Sequence, residues 1–506
     1  MSLSAETWTL IATFILLLLI YGVWPYGFFR KLNIPGPQPL PFIGTLLSYR
    51  RGWYRFDMEC YQKYGNIWGI YDGRLPLLCV MDTEMLKTIL IKECLSLFTN
   101  RRKYDLKRSM DGSILVVKDE QWKKVRTAMA PGFSSGNLKE MFSIVKHYGH
   151  SMVQYLQKKA DTNEPVNVKQ MFRAYSLDII GSASFSVNLN TLNNPGSTFE
   201  KHVDLLTAFT VLHPAYLISV LFPIIAPFLE ALGYNILPKE TVKYFTQIVK
   251  SFMDKQKEDK KVECVDFLQM LVTYRAGINS LKHNKDDQPY RDLTDEEIVA
   301  QAAVLLEGGY GTSSTSLAFL AYNLATHPDI QRMLQMEIDE AFPDNAPVTY
   351  DILMKMKYLD MVINESLRMY PPFGRMDRVC KKTVEIKGIV IPKDTVVLIP
   401  IYALHHDPKH WPEPEEFRPE RFGEENKKSI NPFAYLPFGA GPRNCIGFRF
   451  AQVSLKAAIT GILQRFSFVP CKETKIPLEL DTGFLLQTKE PVVLRVVPRC
   501  NVAMHD

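Results

Sequence analysis

The chain has 506 residues, of which 46% are hydrophobic and 23% are charged, close to the values of ordinary globular proteins. This composition excludes a disordered chain, a collagen-like chain and a membrane protein with many spans. Sixty Lys and Arg residues against 54 Asp and Glu residues give a formal net charge of +6, so no nucleic-acid partner is expected. The eight cysteines form no CxxC pair, which favours reduced thiols in a body that faces the cytosol.

An apolar segment opens the chain. No charged residue occurs between Trp8 and Phe29, and about 20 mostly apolar residues can cross a bilayer as a helix. The alternative is a cleaved signal peptide, but the basic residues that usually precede one are absent. Arg30 and Lys31 follow the segment instead, which predicts that the body stays on the cytosolic side. Residues 1–31 are therefore predicted to form a single-pass membrane anchor.

A proline-rich connector is predicted at residues 32–42. Its prolines forbid a helix and favour a stiff, extended spacer. Residues 43–506 show no second linker and no repeat, so they are predicted to fold as one domain. Helical periods dominate this part of the chain, which predicts a mainly α fold with a small β region.

The β region is predicted in two places. Residues 67–80 have the pattern of a hairpin around Asp72-Gly73, and residues 389–399 that of short strands broken by a turn. Residues 292–326 have the pattern of one long helix, with a cap at Thr294 and an end before Pro328.

The most informative segment surrounds Cys445. Phe438, Gly441, Arg443, Cys445 and Gly447 form the pattern Phe-x-x-Gly-x-Arg-x-Cys-x-Gly, directly before an apolar helical pattern. The glycines allow a tight turn that places the sulfur near backbone N–H groups and a helix N-terminus, and both favour a thiolate. This segment resembles the cysteine loop of the cytochrome P450 family of haem-thiolate monooxygenases, and the resemblance extends over nearly the whole chain.

Further motifs carry the same resemblance. The stretches 365–368 and 419–422 match two family motifs, so Glu365, Arg368 and Arg421 are expected to form a buried ion cluster that supports the cysteine loop. Cys445 is implied as the axial ligand of the iron of haem b. The other residues implied to contact the haem are Trp122, Arg126, Arg443, Arg378, Arg101 and Phe438.

The helix implied to lie over the haem departs from the family pattern. Gly308, Gly309 and Thr312 match Ala/Gly-Gly-x-Asp/Glu-Thr, but Gly311 stands at the acidic position. The family uses that acid and the alcohol to deliver protons to dioxygen. Thr312 is thus implied as a catalytic residue, although its hydroxyl could instead bond to the carbonyl one turn back. Glu307 either substitutes for the missing acid, directly or through water, or recognises a polar group of the substrate, or forms a structural ion pair.

Closer similarity is to the vertebrate microsomal family-3 enzymes, which oxidise drugs and steroids. It is carried by stretches 98–102, 324–328 and 378–382. The resemblance implies the P450 fold, with a single catalytic domain at residues 43–506 that faces the cytosol from a single-pass anchor in the endoplasmic reticulum. The residues implied to line a large apolar pocket are Ile114, Leu115, Val304, Gly308, Phe373, Phe484 and Leu485.

The resemblance implies an enzyme that uses NADPH and O2 to hydroxylate lipophilic xenobiotics and steroids. No flavin or NADPH domain is evident, so NADPH-cytochrome reductase is the expected partner, with cytochrome b5 as a second. One alternative is a haem-thiolate isomerase that acts on peroxides without a reductase, which Gly311 favours and Thr312 opposes. Another is a haem-binding sensor without turnover. The candidates for a basic docking face are Lys123, Lys124, Lys427, Lys428 and Arg449.

Overall fold

A computed structural model describes most of the chain. It covers residues 4–102, 111–207, 238–258, 293–483 and 485–499, with isolated positions between 217 and 271. Phe484, one of the expected pocket residues, lies outside the described residues. Every cysteine within them is a free thiol.

Helices make up most of the described structure, so the prediction of a mainly α fold with a small β region is confirmed. The α-helices are α1 (Ala5–Val23), α2 (Phe28–Lys31), α3 (Trp53–Tyr64), α4 (Thr83–Lys87), α5 (Asp119–Met129), α6 (Ser135–Asp161), α7 (Val168–Phe185), α8 (Thr198–Thr207), α9 (Lys239–Glu258), α10 (Asp295–Thr326), α11 (Pro328–Ala341), α12 (Tyr350–Leu353), α13 (Lys357–Met369), α14 (Ile401–His405), α15 (Glu424–Lys427) and α16 (Phe448–Leu463).

The strands of the described residues form three small sheets. The strands are β1 (Ile67–Asp72), β2 (Leu75–Val80), β3 (Val166–Asn167), β4 (Met376–Val379), β5 (Val384–Ile386), β6 (Ile389–Ile391), β7 (Val396–Ile399), β8 (Phe466–Pro470) and β9 (Val493–Pro498).

The largest sheet has the order β1-β2-β7-β4. Strands β1 and β2 pair antiparallel with Ile67 opposite Val80, which confirms the predicted hairpin. Strand β7 runs parallel to β2 and antiparallel to β4, and it places Arg378 opposite Val397. The predicted strands of residues 389–399 are β6 and β7, separated by a turn as expected.

Helix α10 passes through the hydrophobic core. It begins at Asp295, three residues later than predicted, because Thr294 is its N-cap and forms a capping box with Glu297. It ends at Thr326, where His327 is followed by Pro328, as predicted. The helix is buried on nearly all sides and packs along α7, as a helix surrounded by other core elements does.

The N-terminal helix is the one described helix long and apolar enough to cross a membrane, at Ala5–Lys31. Its end packs against the body. The Arg74 guanidinium lies 3.5 Å from the centroid of the Tyr21 ring, and its Nε donates to the Tyr21 carbonyl at 2.9 Å. The buried ring of Phe29 covers Gly69 and lies 5.3 Å from the ring of Tyr71.

Candidate active site

Helix α13 carries two members of the expected ion cluster one turn apart. Arg368 donates from Nε and Nη2 to the two carboxylate oxygens of Glu365 at 2.7 and 2.9 Å, and both side chains are fully buried. Arg421 Nε donates to Glu365 Oε1 at 3.1 Å. The structure therefore brings the three residues together around one carboxylate that is held by two guanidinium groups.

His405 connects this cluster to the cysteine loop. Its Nδ1 donates to the Arg368 carbonyl at 3.0 Å, and its Nε2 accepts from the Leu436 N–H at 2.8 Å. This pair of bonds requires a neutral ring. Burial, followed by the charges of His406 and Arg368, lowers the pKa of His405 well below its ordinary value. Since Leu436 lies two residues before Phe438, the ion cluster supports the start of the cysteine loop through this ring.

The cysteine loop folds back on itself through a bond from the Cys445 N–H to the Phe438 carbonyl at 2.9 Å. Gly441 has φ +73°, and a Cβ there would lie 1.9 Å from the Leu90 carbonyl oxygen, so the turn needs glycine. Phe438 is half-buried, and its ring lies 6.2 Å from that of Phe448 at the start of α16.

The Cys445 side chain has open space on one side, since the residue is exposed. It has dense protein on the other side, since burial raises the pKa of its thiol. The backbone at Gly447 and the charges of Arg126 and Arg101 oppose this rise but do not overcome it. Because coordination to a metal cation deprotonates a thiol, an iron bound here would hold Cys445 as the thiolate that the sequence suggests.

Arg443 is enclosed by backbone carbonyls. It donates from Nε to Thr99 at 2.8 Å, from Nη1 to Ile114 at 2.9 Å and from Nη2 to Val117 at 2.5 Å. The ring of the buried Trp122 lies 4.7 Å from the guanidinium carbon, within cation–π range. Arg443 thus ties these carbonyls to the cysteine loop, and its donors are engaged by the protein itself.

Arg126 and Arg101 bond to the same loop. Arg126 donates from Nη1 to the Asn444 carbonyl at 3.0 Å and from Nη2 to Asn444 Oδ1 at 2.8 Å. Arg101 Nη2 donates to the Arg443 carbonyl at 3.2 Å. The predicted cationic residues therefore converge on the backbone that carries Cys445.

Two of the arginines expected to contact the haem keep buried donors that have no hydrogen-bond partner among the described residues. These are Nε and Nη2 of Arg378 and Nε of Arg101. Burial and the charge of Arg101 lower the pKa of Arg378 to about 10. Burial and the charges of Arg101 and Arg378 lower the pKa of Arg443 to about 9. Buried cations with unused donors indicate a site for an anion. The two propionate carboxylates of haem fit this set of donors.

The three glycines of α10 have different surroundings. Residues 307–309 and 311–312 are the part of the helix between Gln301 and Ala325 that is not fully buried. A Cβ on Gly309 would lie 2.8 Å from Ile180 of α7, so this glycine allows the two helices to pack closely. A Cβ on Gly308 would meet nothing within 4 Å, so the helix borders open space there.

Gly311, which stands at the acidic position of the family pattern, lies beside Leu485. A Cβ on Gly311 would lie 3.4 Å from Leu485 Cδ2. Thr312 Oγ1 donates to the Gly308 carbonyl at 2.5 Å, which is the structural alternative considered for this hydroxyl. Glu307, the residue before Gly308, is half-buried.

The expected pocket residues divide into two groups. Leu115 is 39% exposed and Phe373 is 41% exposed although its chain neighbours are buried. Leu485 is half-buried and reaches α10. Ile114 and Val304 are buried, and the Ile114 carbonyl accepts a hydrogen bond from Arg443.

Sequence reasoning missed His405, Asn444 and Trp53. A neutral buried histidine and an asparagine that accepts from Arg126 carry no local pattern. Trp53 donates to the Gly483 carbonyl and packs against Gly374, and both lie more than 300 residues away along the chain. Nothing beside His405 in the sequence indicates that its ring joins the Arg368 carbonyl to the Leu436 N–H.

Comparison with known proteins gives a consistent result. Residues 34–495 match the sequence model of the family described as cytochrome P450. The chain is 50% identical over 498 residues to cytochrome P450 3A2 of Rattus norvegicus, covering 98% of both chains. It is 49% identical to cytochrome P450 3A29 of Sus scrofa and 50% identical to cytochrome P450 3A28 of Bos taurus, in each case over 98% of this chain and 97% of the relative.

Proposed function

The chain belongs to the cytochrome P450 family, and on this basis we propose that it hydroxylates lipophilic xenobiotics and steroids at a haem bound by Cys445. It is a monooxygenase that uses haem b, O2 and electrons derived from NADPH, which a redox partner delivers. The site assignment rests on one observation: a cysteine with open space on one side lies beside arginines whose buried donors have no partner among the described residues.

Thiolate-ligated haem supplies the chemistry of O–O bond cleavage when it is bound. Cys445 would hold the iron, while Arg378 and Arg101 would hold the propionates with their unused donors. Arg126 and Arg443 would act beside them by fixing the backbone of the cysteine loop. Trp122 and Phe438 complete the walls, the first through its contact with the Arg443 guanidinium.

Thr312 is proposed to move protons toward the reacting oxygen. Its hydroxyl donates to the Gly308 carbonyl, so it must rotate away from that bond to act as a donor. In the family pattern an acid at the preceding position passes a proton to this hydroxyl, but position 311 is glycine in this chain. We assign this role to Glu307, a half-buried acid one helical turn before Gly311. Glu307→Gln should lower the yield of product per NADPH consumed, whereas unchanged yield would exclude Glu307 from the relay.

The residues assigned to the pocket are apolar. Leu115 and Phe373 are partly exposed, and Leu485 lies beside Gly311 of α10. Apolar walls with few polar groups bind a ligand mainly through desolvation. This supports a lipophilic small molecule as the substrate.

The proposed redox partner is NADPH-cytochrome reductase, with cytochrome b5 as a second electron donor. The proposed docking face carries Lys427, Lys428 and Arg449, which are exposed, and Lys123 and Lys124, which are half-buried. Positive charge attracts an acidic partner and raises the association rate. The rate of reduction should therefore fall as salt is added, and a rate that is independent of salt would contradict this docking face.

The proposed location is the membrane of the endoplasmic reticulum, with the catalytic domain in the cytosol. The support is the apolar helix at the N-terminus followed by Arg30 and Lys31. Protease protection in microsomes tests this orientation, because only the anchor should survive digestion of intact vesicles.

The decisive experiment combines a spectrum with two incubations. The reduced, carbonyl-bound protein should show the red-shifted absorption of thiolate ligation, and Cys445→His should abolish it. A steroid substrate should then be hydroxylated with NADPH and reductase. Product formed from a peroxide without NADPH would support the isomerase, which the absence of an acid at Gly311 favours.

A further inference from the structure

We propose that Trp53 fixes the spacing of two walls of the substrate pocket and thereby determines which position of the substrate is oxidised. The first wall is the segment around Phe373, and the second consists of Gly483, Leu485 and Leu486, which are called the loop of the second wall. This inference rests on the proposed function, since it concerns the pocket of the same site. Trp53 acts through the two walls and is therefore a positioning residue.

Trp53 contacts both walls directly. Its indole Nε1 donates to the Gly483 carbonyl at 2.6 Å. On the other wall, a Cβ built on Gly374 would lie only 1.7 Å from Cη2 and 2.3 Å from Cζ3 of the indole. The six-membered part of the indole therefore occupies the volume that a side chain at position 374 would need.

Backbone bonds hold Phe373 between these contacts. The Leu486 N–H donates to the Pro372 carbonyl at 2.9 Å, and the Tyr402 N–H donates to the Gly374 carbonyl at 3.0 Å. Both chain neighbours of Phe373 are thus fixed, while its own side chain is 41% exposed. A shift of either neighbour would move the Phe373 ring within the pocket.

The loop of the second wall reaches α10, the helix that carries Thr312. Leu485 lies against the position of Gly311, at 3.4 Å from a Cβ placed there. Movement of this loop would therefore change the space between the pocket wall and Thr312. Trp53 bonds to Gly483, which lies two residues before Leu485. It therefore controls the position of this loop against α10.

The indole itself is held rigidly. It is 6% exposed, and its ring makes edge contacts with Tyr54 at 5.8 Å and with Tyr402 at 6.5 Å. The Arg375 guanidinium lies 5.5 Å from it and is fixed by two bonds to the buried Asp57 at 2.6 and 2.7 Å. A contact that sets the geometry of a site needs this kind of support.

The close contact between Trp53 and Gly374 provides a size-exchange test. Gly374→Ala should displace the indole, and we expect loss of most of the haem-loaded protein and a lower midpoint of thermal unfolding. Trp53→Phe removes the atoms that a Cβ at position 374 would meet. The double variant should therefore regain haem-loaded protein relative to Gly374→Ala alone.

The functional test uses the full-length chain in lipid nanodiscs, with NADPH, reductase and testosterone as the probe substrate. Trp53→Phe should keep the carbonyl spectrum but change the ratio of products hydroxylated at different positions by about tenfold, as one altered pocket contact can. Trp68→Phe is the matched control, because Trp68 is fully buried in β1, where it pairs with Cys79 of β2. It should leave the product ratio unchanged.

Two results would overturn the proposal. One is an unchanged product ratio in Trp53→Phe with a normal carbonyl spectrum. The other is a double variant that is no more stable than Gly374→Ala. Failure of the proposed function is a separate outcome, since the unaltered chain would then lack the thiolate spectrum or form no hydroxylated product at all.

Discussion

Replacing Glu365 with glutamine would remove the negative charge that the buried Arg368 and the partly exposed Arg421 share. Arg368 and Glu365 both have fully buried side chains and are joined by two bonds of 2.7 and 2.9 Å. The variant would leave the Arg368 cation in the protein interior with one amide oxygen in place of a carboxylate. Breaking a buried pair by removing one partner costs about 3–5 kcal/mol, and we expect that decrease in the free energy of unfolding.

Arg421→Gln should have a smaller effect. Arg421 contributes one bond of 3.1 Å to Glu365 from a side chain that is still 10% exposed. Its removal leaves the Glu365–Arg368 pair intact and electrically neutral. The loss should be about 1.5–3 kcal/mol, mainly from the charged bond to Glu365, because the second bond of Arg421, from Nη2 to the Glu413 carbonyl at 2.7 Å, is exposed to water. Glu424→Gln is the control, because it breaks the exposed pair with Lys357 and should cause no measurable change.

The assay is guanidinium denaturation of the full-length chain in detergent, followed by tryptophan fluorescence and by the carbonyl spectrum. Glu365→Gln should lower both midpoints, since the cluster supports the cysteine loop through His405. Equal losses for Glu365→Gln and Arg421→Gln would refute the reasoning, because the argument depends on a difference in burial between the two positions. A loss below about 1 kcal/mol for Glu365→Gln would refute it as well.

Three further predictions concern the same site. The free energy of unfolding should fall as the pH drops from about 6.5 toward 4, because His405 and His406 bind protons in the unfolded chain but stay neutral when buried. The pKa of His406 is lowered to about 4, and each histidine can contribute up to about 1.4 kcal/mol per pH unit. His405→Gln should reduce the slope of the free energy of unfolding against pH, measured by denaturation at a series of pH values. A slope that is the same in the variant would contradict this. Arg378→Met should speed the transfer of haem to apomyoglobin, because it removes donors that have no other partner in the described residues; an unaltered transfer rate would argue against propionate binding by Arg378. Gly311→Glu should fit beside Leu485, stabilise α10 by about 1 kcal/mol and raise the yield of product per NADPH, while Gly311→Gln should raise stability alone. Equal yields in both variants would show that the acid has no role in proton delivery.

The sequence was sufficient to predict the features that depend on local patterns. The bounds of α10 followed from Thr294 and Pro328 because a cap and a proline act on the residues beside them. The hairpin of β1 and β2 followed from a turn flanked by apolar strands. The spacing around Cys445 and the motif at Glu365 identified the family, since both are short and contiguous.

Other parts of the site depend on contacts between distant residues. The role of Arg443 was predicted as a haem contact, yet the structure engages its donors with carbonyls of Thr99, Ile114 and Val117. No pattern around position 443 encodes which carbonyls will surround it. Burial also raises the pKa of the Cys445 thiol against the lowering effect of the Gly447 backbone and the nearby cations, and the depth of a side chain is not visible in its neighbours along the chain.

The packing at the end of the N-terminal helix determines where the chain can be shortened for crystallisation. A soluble form that starts at Leu32 would lose Phe29 and leave Gly69 and Tyr71 uncovered. Such a form should aggregate, because an apolar patch would replace a packed ring. A form that starts at Tyr21 discards most of the lipid-spanning part yet retains the partner of Arg74, so it is the better starting point for expression without detergent.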